Sequence, residues 1–420
     1  MTGRKRIATL CCVLFIGLLG LWGCGSPSSD STGNTNSETE LEVYATHMQT
    51  DISNETPADK SDTDTNNTTT NTDLQTELVY ENSMELQYAQ NFSVDYYQGG
   101  YKLLTLKDDT KYLLVPEGME VPKGLEEDVV VLKQPLDNIY LVASASMNMF
   151  AQLDAIDSIT LSGQKIEGWY IPEAKEAMES GKMVYAGKYS KPDYELILSK
   201  NCSLAIENMM ISHSPEVIEK LEDFGIPILI EYSSYESHPM GRVEWIKFFG
   251  TLVGKEEVAK ELFDQQLEVL EQVTTDEKSG KTVAFFYITS NDMVQVRQSS
   301  DYVPKMIELA GGKYIFDNLG DSESSRSTMN MQIEEFYNGA KDADYIIYNS
   351  SIDKSVTTVD ELLEKCPLLE DFKAVKEGNV WCTTNDMYQQ SMSIGYLISD
   401  MHSMMMDEET AQMKYLYRLE

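Results

Sequence analysis

Histidine is scarce in this chain of 420 residues: there are four, and one of them, His47, lies in a polar N-terminal stretch. A metal site built from several histidines is therefore poorly supported, although the other three could converge. Beyond residue 24 only three cysteines remain, Cys202, Cys366 and Cys382, without the spacing of a disulfide framework or a zinc site. Cys366 and Cys382 could pair in an oxidising compartment, but three buried free thiols are the simpler expectation. We expect no bound metal and no cofactor.

Basic residues are also few, since 33 lysines and arginines stand against 69 acidic residues and the formal net charge is -36. Nucleic acids and anionic lipid surfaces both require patches of lysine and arginine. The composition therefore excludes nucleic acid as a probable class of partner, and we expect a monomer.

Motifs for catalysis are missing as well. The chain contains neither GxSxG nor HExxH. Residues 279–282 read SGKT, like the end of a phosphate-binding loop, but the first glycine is replaced by Thr275 and the predicted order of helix and strand is reversed. Acidic doublets at 126–127 and 334–335 are typical of solvated helices. We expect no enzyme, and a secreted two-domain hydrolase or chelatase is an alternative without a reactive constellation.

The first 23 residues have the pattern of an export signal. Arg4, Lys5 and Arg6 precede an apolar run over 7–21, which is shorter than the roughly 20 residues that a spanning helix needs. The sequence LWGC at 21–24 resembles the bacterial lipobox, in which Cys24 receives a diacylglycerol and cleavage occurs just before it. The alternative is an ordinary signal peptide with a chance cysteine. We expect an extracytoplasmic protein anchored to the cell membrane through Cys24.

Residues 24–80 are rich in Ser, Thr, Asn and Asp and nearly devoid of aromatic residues in their first fifty positions. Such a segment buries too little apolar area to offset its ordering entropy. It is predicted to be a disordered acidic stalk.

The remaining chain is long enough for two domains. Alternation over 92–116 predicts a β-hairpin within a β-rich element at 81–136. Apolar runs at 139–143, 204–206, 226–230, 283–287 and 345–348 predict buried parallel strands separated by helices. A long helical segment at 242–276 divides them into lobes at 137–241 and 277–420. The predicted fold class is α/β: two lobes with mainly parallel sheets joined by one long helix, plus the small N-terminal β-hairpin element.

The order of several segments from residue 137 onward resembles the substrate-binding lipoproteins of ABC importers for iron-siderophore, haem and cobalamin complexes. The segments are YLVASAS at 140–146, YAGKYSKPDYELI at 185–197, FGTLVGKEEVA at 249–259, LAGG at 309–312 and VKEGNVW at 375–381. This resemblance implies capture of an iron-chelate or corrinoid ligand between the lobes and delivery to an ABC permease. The hairpin and the long stalk depart from the family pattern.

Ligands of open α/β sheets bind beyond the carboxyl ends of the strands. This rule, with the loop that enters the long helix and the polar loops of the second lobe, selects eleven candidates: Ser146, Met147, Met209, Met210, Tyr235, His238, Arg242, Tyr287, Arg297, Tyr302 and Arg326. It also draws attention to Ser144, Asn208 and Tyr232. The arginines could hold a carboxylate or phosphate, or could instead tie down acidic loops, and the tyrosines could stack on a bulky ligand.

The resemblance also implies one permease-docking acid on each lobe. These are Glu216 or Glu219 in the first lobe and Glu334 or Glu335 in the second, although acids at helix N-termini are also favoured by the helix dipole. Two alternatives to the chelate receptor stay open: a receptor for a bare transition-metal ion, and a surface adhesion or sensor module that retains the binding fold.

Overall fold

The computed structural model describes residues 78–274, 278–320, 327–353, 356–408 and 413–420. The predicted signal peptide, Cys24, residues 24–77 of the predicted stalk and Arg326 lie outside these residues, whereas Tyr80, the last residue of the predicted stalk, begins a strand. No helix of the described residues is long and apolar enough to cross a membrane.

The N-terminal element is a five-stranded sheet in the order β1-β2-β3-β4-β5. Its strands are β1 (Tyr80–Ser83), β2 (Phe92–Tyr97), β3 (Lys102–Leu106), β4 (Lys111–Val115) and β5 (Val129–Lys133). The first four pair antiparallel, and β5 joins β4 in parallel. Gly99 and Gly100, with φ of 84° and 82°, make the turn between β2 and β3. The predicted hairpin is thus the centre of a larger sheet.

The first lobe contains a five-stranded sheet in the order β12-β11-β6-β7-β8, in which every pairing is parallel. Its strands are β6 (Ile139–Leu141), β7 (Ile159–Ser162), β8 (Val184–Tyr185), β11 (Leu204–Glu207) and β12 (Ile228–Ile230), and β9 (Gly187–Lys188) pairs with β10 (Lys191–Pro192). The helices are α1 (Met147–Gln152), α2 (Pro172–Glu179), α3 (Tyr194–Ser199) and α4 (Pro215–Asp223). Leu204 and Ile206 pack on one face of the sheet and Ala205 on the other, which explains the continuous apolar runs.

Two helices connect the lobes, α5 (Pro239–Val253) and α6 (Glu256–Thr274). One long helix was predicted over this segment, and the structure corrects that in one respect. Gly254 adopts the left-handed conformation with φ 68° and ends α5, a conformation that glycine enters without a steric penalty. Helical periodicity resumes at once in α6, so the apolar pattern alone does not reveal the break.

The second lobe contains a seven-stranded mixed sheet in the order β16-β14-β13-β17-β18-β19, with β15 paired to β13. Its strands are β13 (Thr282–Ile288), β14 (Met293–Arg297), β15 (Lys313–Tyr314), β16 (Thr328–Gln332), β17 (Tyr345–Tyr348), β18 (Val380–Thr383) and β19 (Leu416–Arg418). Its helices are α7 (Tyr302–Leu309), α8 (Ile333–Ala340), α9 (Val359–Lys365), α10 (Lys373–Glu377) and α11 (Ile394–Met405). The pairings of β13 with β17 and of β17 with β18 are parallel, whereas β14, β16 and β19 pair antiparallel.

The largest hydrophobic cluster joins the N-terminal sheet, the first lobe, the connecting helices and part of the second lobe. Phe92 of β2, for example, contacts the rings of Trp245 and Phe248 in α5 at centroid distances of 4.9 and 5.3 Å. The N-terminal sheet is therefore packed into the body of the protein.

The three cysteines Cys202, Cys366 and Cys382 are buried and free, which confirms the simpler of the two expectations.

Candidate binding cleft

A cavity of about 340 Å³ lies between the two lobes. This volume is within the roughly 300 to 1,000 Å³ of small-molecule pockets. The first-lobe wall includes Ser144, Gln164, Lys188, Asn208, Met210, Glu231 and Ser234. The second-lobe wall includes Gln295, Arg297, Asp301, Tyr302, Thr328, Tyr388 and Tyr415, and Arg242 at the start of α5 completes the lining.

The first-lobe wall is built at the carboxyl ends of parallel strands. Ser144 follows β6, Asn208 follows β11 and Glu231 follows β12, so three neighbouring strands deliver polar residues to one edge of the sheet. The side-chain oxygen of Asn208 accepts a hydrogen bond from the Met210 backbone N–H at 2.9 Å. That bond fixes the loop on which Met210 reaches the cavity.

Arg242 joins the first-lobe wall to the second lobe. Its Nε donates to the Glu236 carbonyl at 3.1 Å, and its Nη2 donates to the Ser234 carbonyl. The centre of its guanidinium lies 3.6 Å from the ring centroid of Tyr302, the first residue of α7. A cation over an aromatic face is attracted by the ring quadrupole, so this contact links the lobes directly.

Arg297 ends β14 and is only 7% exposed. Its Nη1 lies 3.7 Å from Oδ2 of Asp301, and its Nη2 donates to the Tyr388 hydroxyl. The Tyr314 hydroxyl accepts from the Arg297 N–H at 3.0 Å and donates to its carbonyl at 2.8 Å. Asp301 also caps α7 by accepting from the Val303 N–H at 3.0 Å. Both the backbone and the side chain of this arginine are therefore held in place.

Glu231 is a buried acid on the cavity wall, 2% exposed. Burial raises the pKa of its carboxyl, while hydrogen bonding by Ser233 and the positive charge of Arg242 oppose that rise. Oε2 of Glu231 accepts from the Ser233 N–H at 2.6 Å. The Glu231 carboxyl is thus bound to Ser233, the neighbour of Ser234, whose carbonyl accepts a hydrogen bond from Arg242.

A segment of the second lobe, residues 389–392, which we call the interlobe latch, hydrogen-bonds to the first lobe. Gln389 accepts from the Tyr170 N–H at 2.9 Å and donates to the Gly168 carbonyl at 2.8 Å. The Ser391 hydroxyl donates to the Ala145 carbonyl at 2.8 Å, and the Met392 N–H donates to the Asn148 side chain at 3.0 Å. These bonds close one side of the cavity.

Four of the eleven predicted ligand residues line the cavity: Met210, Arg242, Arg297 and Tyr302. Ser144 and Asn208, which the strand rule also selects, line it as well. Ligand binding by each of these residues stays a prediction.

Six other predicted residues do not line the cavity. Ser146 and Met147 are fully buried, because the turn at 144–146 directs Ser144 to the cleft and starts α1 inside the core. Tyr287 of β13 lies in the core of the second lobe, and Met209 packs against the main core. The two remaining residues contact the N-terminal sheet: Tyr235 lies under the ammonium of Lys107, and His238 stacks on Tyr88 at 4.5 Å. The position of Arg326 is outside the described residues.

Several lining residues were missed by sequence reasoning. The latch and Tyr388 follow β18, so the same strand rule would have reached them had it been applied to the last parallel strand. Lys188 lies on β9, in a short hairpin that follows β8. Glu231 directly follows the predicted strand at 226–230, so the strand rule would have reached it had it been applied to the first residue after that strand.

The predicted docking acids are all on the surface. Glu216 lies in the first turn of α4 and Glu219 one turn later, and both are exposed. Glu334 and Glu335 occupy the first turn of α8 and are exposed too. Permease docking by these residues stays a prediction.

Within the described ranges, no group of three or more His, Cys, Asp and Glu residues is arranged to hold a metal ion. His238 is engaged as the N-cap of α5, where its Nδ1 accepts from the Met240 N–H at 3.1 Å. The Nδ1 of His402 lies 3.0 Å from the Ala310 carbonyl oxygen.

The model of a family described as "periplasmic binding protein" matches residues 141–387, more than half of the chain. The match begins inside β6 and ends after β18, so the N-terminal sheet lies outside it. An uncharacterized lipoprotein of Methanocaldococcus jannaschii is 27% identical over 331 residues, which are 72% of this chain and 77% of that protein.

Solved structures share the fold at lower identity. A periplasmic binding protein of Veillonella parvula superposes with a TM-score of 0.52 at 19% identity, covering 68% of this chain and 97% of that one. A periplasmic haem-binding protein of Vibrio cholerae superposes with a TM-score of 0.51 at 16% identity, covering 62% of this chain and 97% of that one. These two structures support the fold, in which two α/β lobes flank a cleft.

Proposed function

Because this chain belongs to the periplasmic binding protein family, whose members bind substrates and are not enzymes, we propose that it is an extracytoplasmic, lipid-anchored receptor. It captures an iron-siderophore, haem or cobalamin-type complex between its lobes and delivers the complex to an ABC permease. The observation that carries this proposal is the interlobe cavity, which has one arginine at each lobe's edge and a direct contact between Arg242 and Tyr302.

The chemistry of the cavity suits a bulky ligand with acidic groups. Five tyrosines line it: Tyr170, Tyr189, Tyr302, Tyr388 and Tyr415. Tyrosine combines a large apolar face with a hydroxyl that forms hydrogen bonds, so it can stack on a ring and contact a polar edge. Arginine presents a planar set of donors that matches carboxylates.

Charge also favours an anionic ligand at this place. The chain carries a formal charge of -36, yet the cavity brings together Lys188, Arg242 and Arg297 with only two acids, Glu231 and Asp301. An anion is repelled by most of such a surface and attracted to its few positive concavities. The same anion would therefore be directed to the cleft.

Among the described residues, no group of three or more His, Cys, Asp and Glu is arranged to hold a metal ion. The alternative of a receptor for a bare transition-metal ion therefore has no support from this part of the chain.

The lipid anchor is supported by the lipobox-like LWGC at 21–24 and by the lipoprotein relative. Expression with an alkyne-tagged fatty acid should label the wild-type chain and should not label Cys24→Ser. Equal labelling of both would place any lipid elsewhere and would remove Cys24 from the proposal.

A thermal-shift screen tests the receptor function. The chain from residue 25 onward is heated with haemin, a ferric catecholate, a ferric hydroxamate, cyanocobalamin, and Fe, Zn and Mn ions. A ligand of the native state at a hundredfold excess over its dissociation constant stabilises by about 2.7 kcal/mol. We expect one of the complexes to stabilise the protein and the ions to have no effect. Stabilisation by an ion alone, or by none of the panel, would contradict the proposal.

A further inference from the structure

We propose that the N-terminal sheet, which lies outside the family match, is part of the binding unit and sets the position of Arg242 through Glu236. Glu236 would thus be a positioning residue for the cleft. This inference rests on the proposed function, because only that function makes Arg242 a ligand-binding residue. The contacts that carry it are independent of any ligand.

The connection between β1 and β2, residues 84–91, which we call the strap, is held against α5 by two buried carboxylates. Five successive backbone N–H groups donate over N···O distances of 2.8 to 3.1 Å: Gln87, Tyr88 and Ala89 to Glu244, and Gln90 and Asn91 to Glu236. Glu244 is 0% exposed and Glu236 is 3% exposed. Hydrogen bonds to a buried carboxylate are among the stronger ones in proteins, so the strap is firmly attached.

Glu236 connects this attachment to Arg242. Oε1 of Glu236 also accepts from the Trp245 indole N–H at 3.0 Å, and the Glu236 carbonyl accepts from Arg242 Nε at 3.1 Å. The Glu236 N–H donates to the Ser233 carbonyl at 3.1 Å. Glu236 therefore contacts the strap through its side chain. Through its backbone it contacts Arg242 and Ser233.

The turn between β3 and β4 holds the other end of the same loop. Oδ2 of Asp108 accepts from the Tyr232 hydroxyl at 2.8 Å. The ammonium of Lys107 lies 4.7 Å from the ring centroids of both Tyr232 and Tyr235. The strap and this turn thus contact both ends of the segment 231–236, which we call the cleft loop.

The strap and α5 are closely packed at Gly241. A Cβ on Gly241 would lie 3.1 Å from the Tyr88 carbonyl and 3.3 Å from Oε2 of Glu236. The cleft loop supplies Glu231, Ser233 and Ser234 to the cavity wall, and the Ser234 carbonyl accepts from Arg242. A shift of the strap would consequently move the acceptors that aim Arg242 at Tyr302.

Hydrogen exchange on the chain from residue 25 onward tests this inference without any ligand. In Glu236→Ala we expect exchange in the cleft loop to be faster by about tenfold or more relative to β13, which serves as the reference for global unfolding. Glu244→Ala is the control, because it removes a similar set of strap bonds, together with an ion pair to Lys247, without a contact to Arg242. It should speed exchange at residues 87–89 and leave the cleft loop within about threefold of wild type.

Glu236→Gln keeps one acceptor oxygen for Asn91 and Trp245 but replaces the other, which faces the Gln90 N–H, by a donor. Exchange in its cleft loop should therefore be faster than in wild type and slower than in Glu236→Ala, so it remains informative if Glu236→Ala does not fold. Unchanged exchange in the cleft loop of every Glu236 variant that folds would overturn the proposal. So would equal acceleration of the cleft loop in the Glu244 control. Because no ligand enters the experiment, failure here is distinct from failure of the receptor function, which the thermal-shift screen reports.

Discussion

The two arginines of the cleft differ in how their charge is balanced. Arg297 is 7% exposed and lies beside Asp301, with its guanidinium bonded to Tyr388. Arg242 is half-buried, donates to backbone carbonyls and stacks on Tyr302, and among the described residues it forms no ion pair. Arg297 therefore mainly stabilises the second-lobe wall. The positive charge of Arg242 is less compensated by its neighbours, so Arg242 is the better partner for an anionic ligand.

The largest effect is expected from Arg297→Ala. Its removal leaves Asp301, whose side chain is 1% exposed, buried beside the cavity without its partner. We expect a loss of about 3 kcal/mol in the free energy of unfolding, because an uncompensated buried charge is strongly destabilising. Urea denaturation measures it, with the exposed Arg418→Ala as control. A change as small as that of the control would mean that Arg297 does not stabilise the second-lobe wall.

Arg242→Ala should act on binding instead. For the complex that stabilises the protein most in the screen, we expect the affinity to fall about 10- to 100-fold, the range for a hydrogen bond to a charged group. Arg242→Lys should recover only part of it, because lysine lacks the planar set of donors. Isothermal titration with Arg418→Ala as control measures both. An unchanged affinity in Arg242→Ala would show that the ligand does not use this charge.

Gln389→Ala should weaken the contact between the lobes without altering either arginine. Two hydrogen bonds to the first lobe are lost, each worth about 1 kcal/mol. We expect the affinity to fall by up to about 30-fold, because about 2 kcal/mol corresponds to that ratio, and the melting temperature to fall by a few degrees. Asn338→Ala, at an exposed position of α8, is the control in the same titration. If the affinity rises, the latch hinders ligand entry more than it supports closure.

The smallest effect concerns Glu231, on the same wall as Arg242. Burial raises the pKa of its carboxyl above the ordinary value of 4.5, so the folded protein favours the protonated form. The free energy of unfolding of the wild type then falls as pH rises from 4.5 through the pKa of the folded state. Glu231→Gln has no carboxyl to titrate, so this decrease is absent in the variant. We expect the variant to be more stable than wild type at neutral pH and equal to it near pH 4, in denaturation at both pH values. A constant difference would assign the effect to packing.

Much of the fold could be predicted because buried parallel strands leave a clear pattern. A strand of the structure overlaps each of the runs at 139–143, 204–206, 226–230, 283–287 and 345–348, since both faces of these sheets are covered. The break at Gly254 is harder to predict, because α5 is buried on nearly all sides and has no clear apolar stripe that the break would interrupt.

The site was less predictable because strand ends indicate a region and leave side-chain direction open. Ser144 and Ser146 are two residues apart in one turn, yet one lines the cleft and the other is fully buried. His238 and Tyr235 occupy the expected loop, but they contact the N-terminal sheet, whose docking partner was not evident in the sequence. Contacts between distant segments, such as the strap and Glu236, leave no local pattern.

A crystal structure of the protein with the complex that stabilises it most would show directly where the ligand binds. We expect a ligand between the lobes, with an acidic group within about 3 Å of the Arg242 guanidinium and a face against Tyr388. A ligand bound outside the interlobe cavity, or bound there without contact to either arginine, would contradict it.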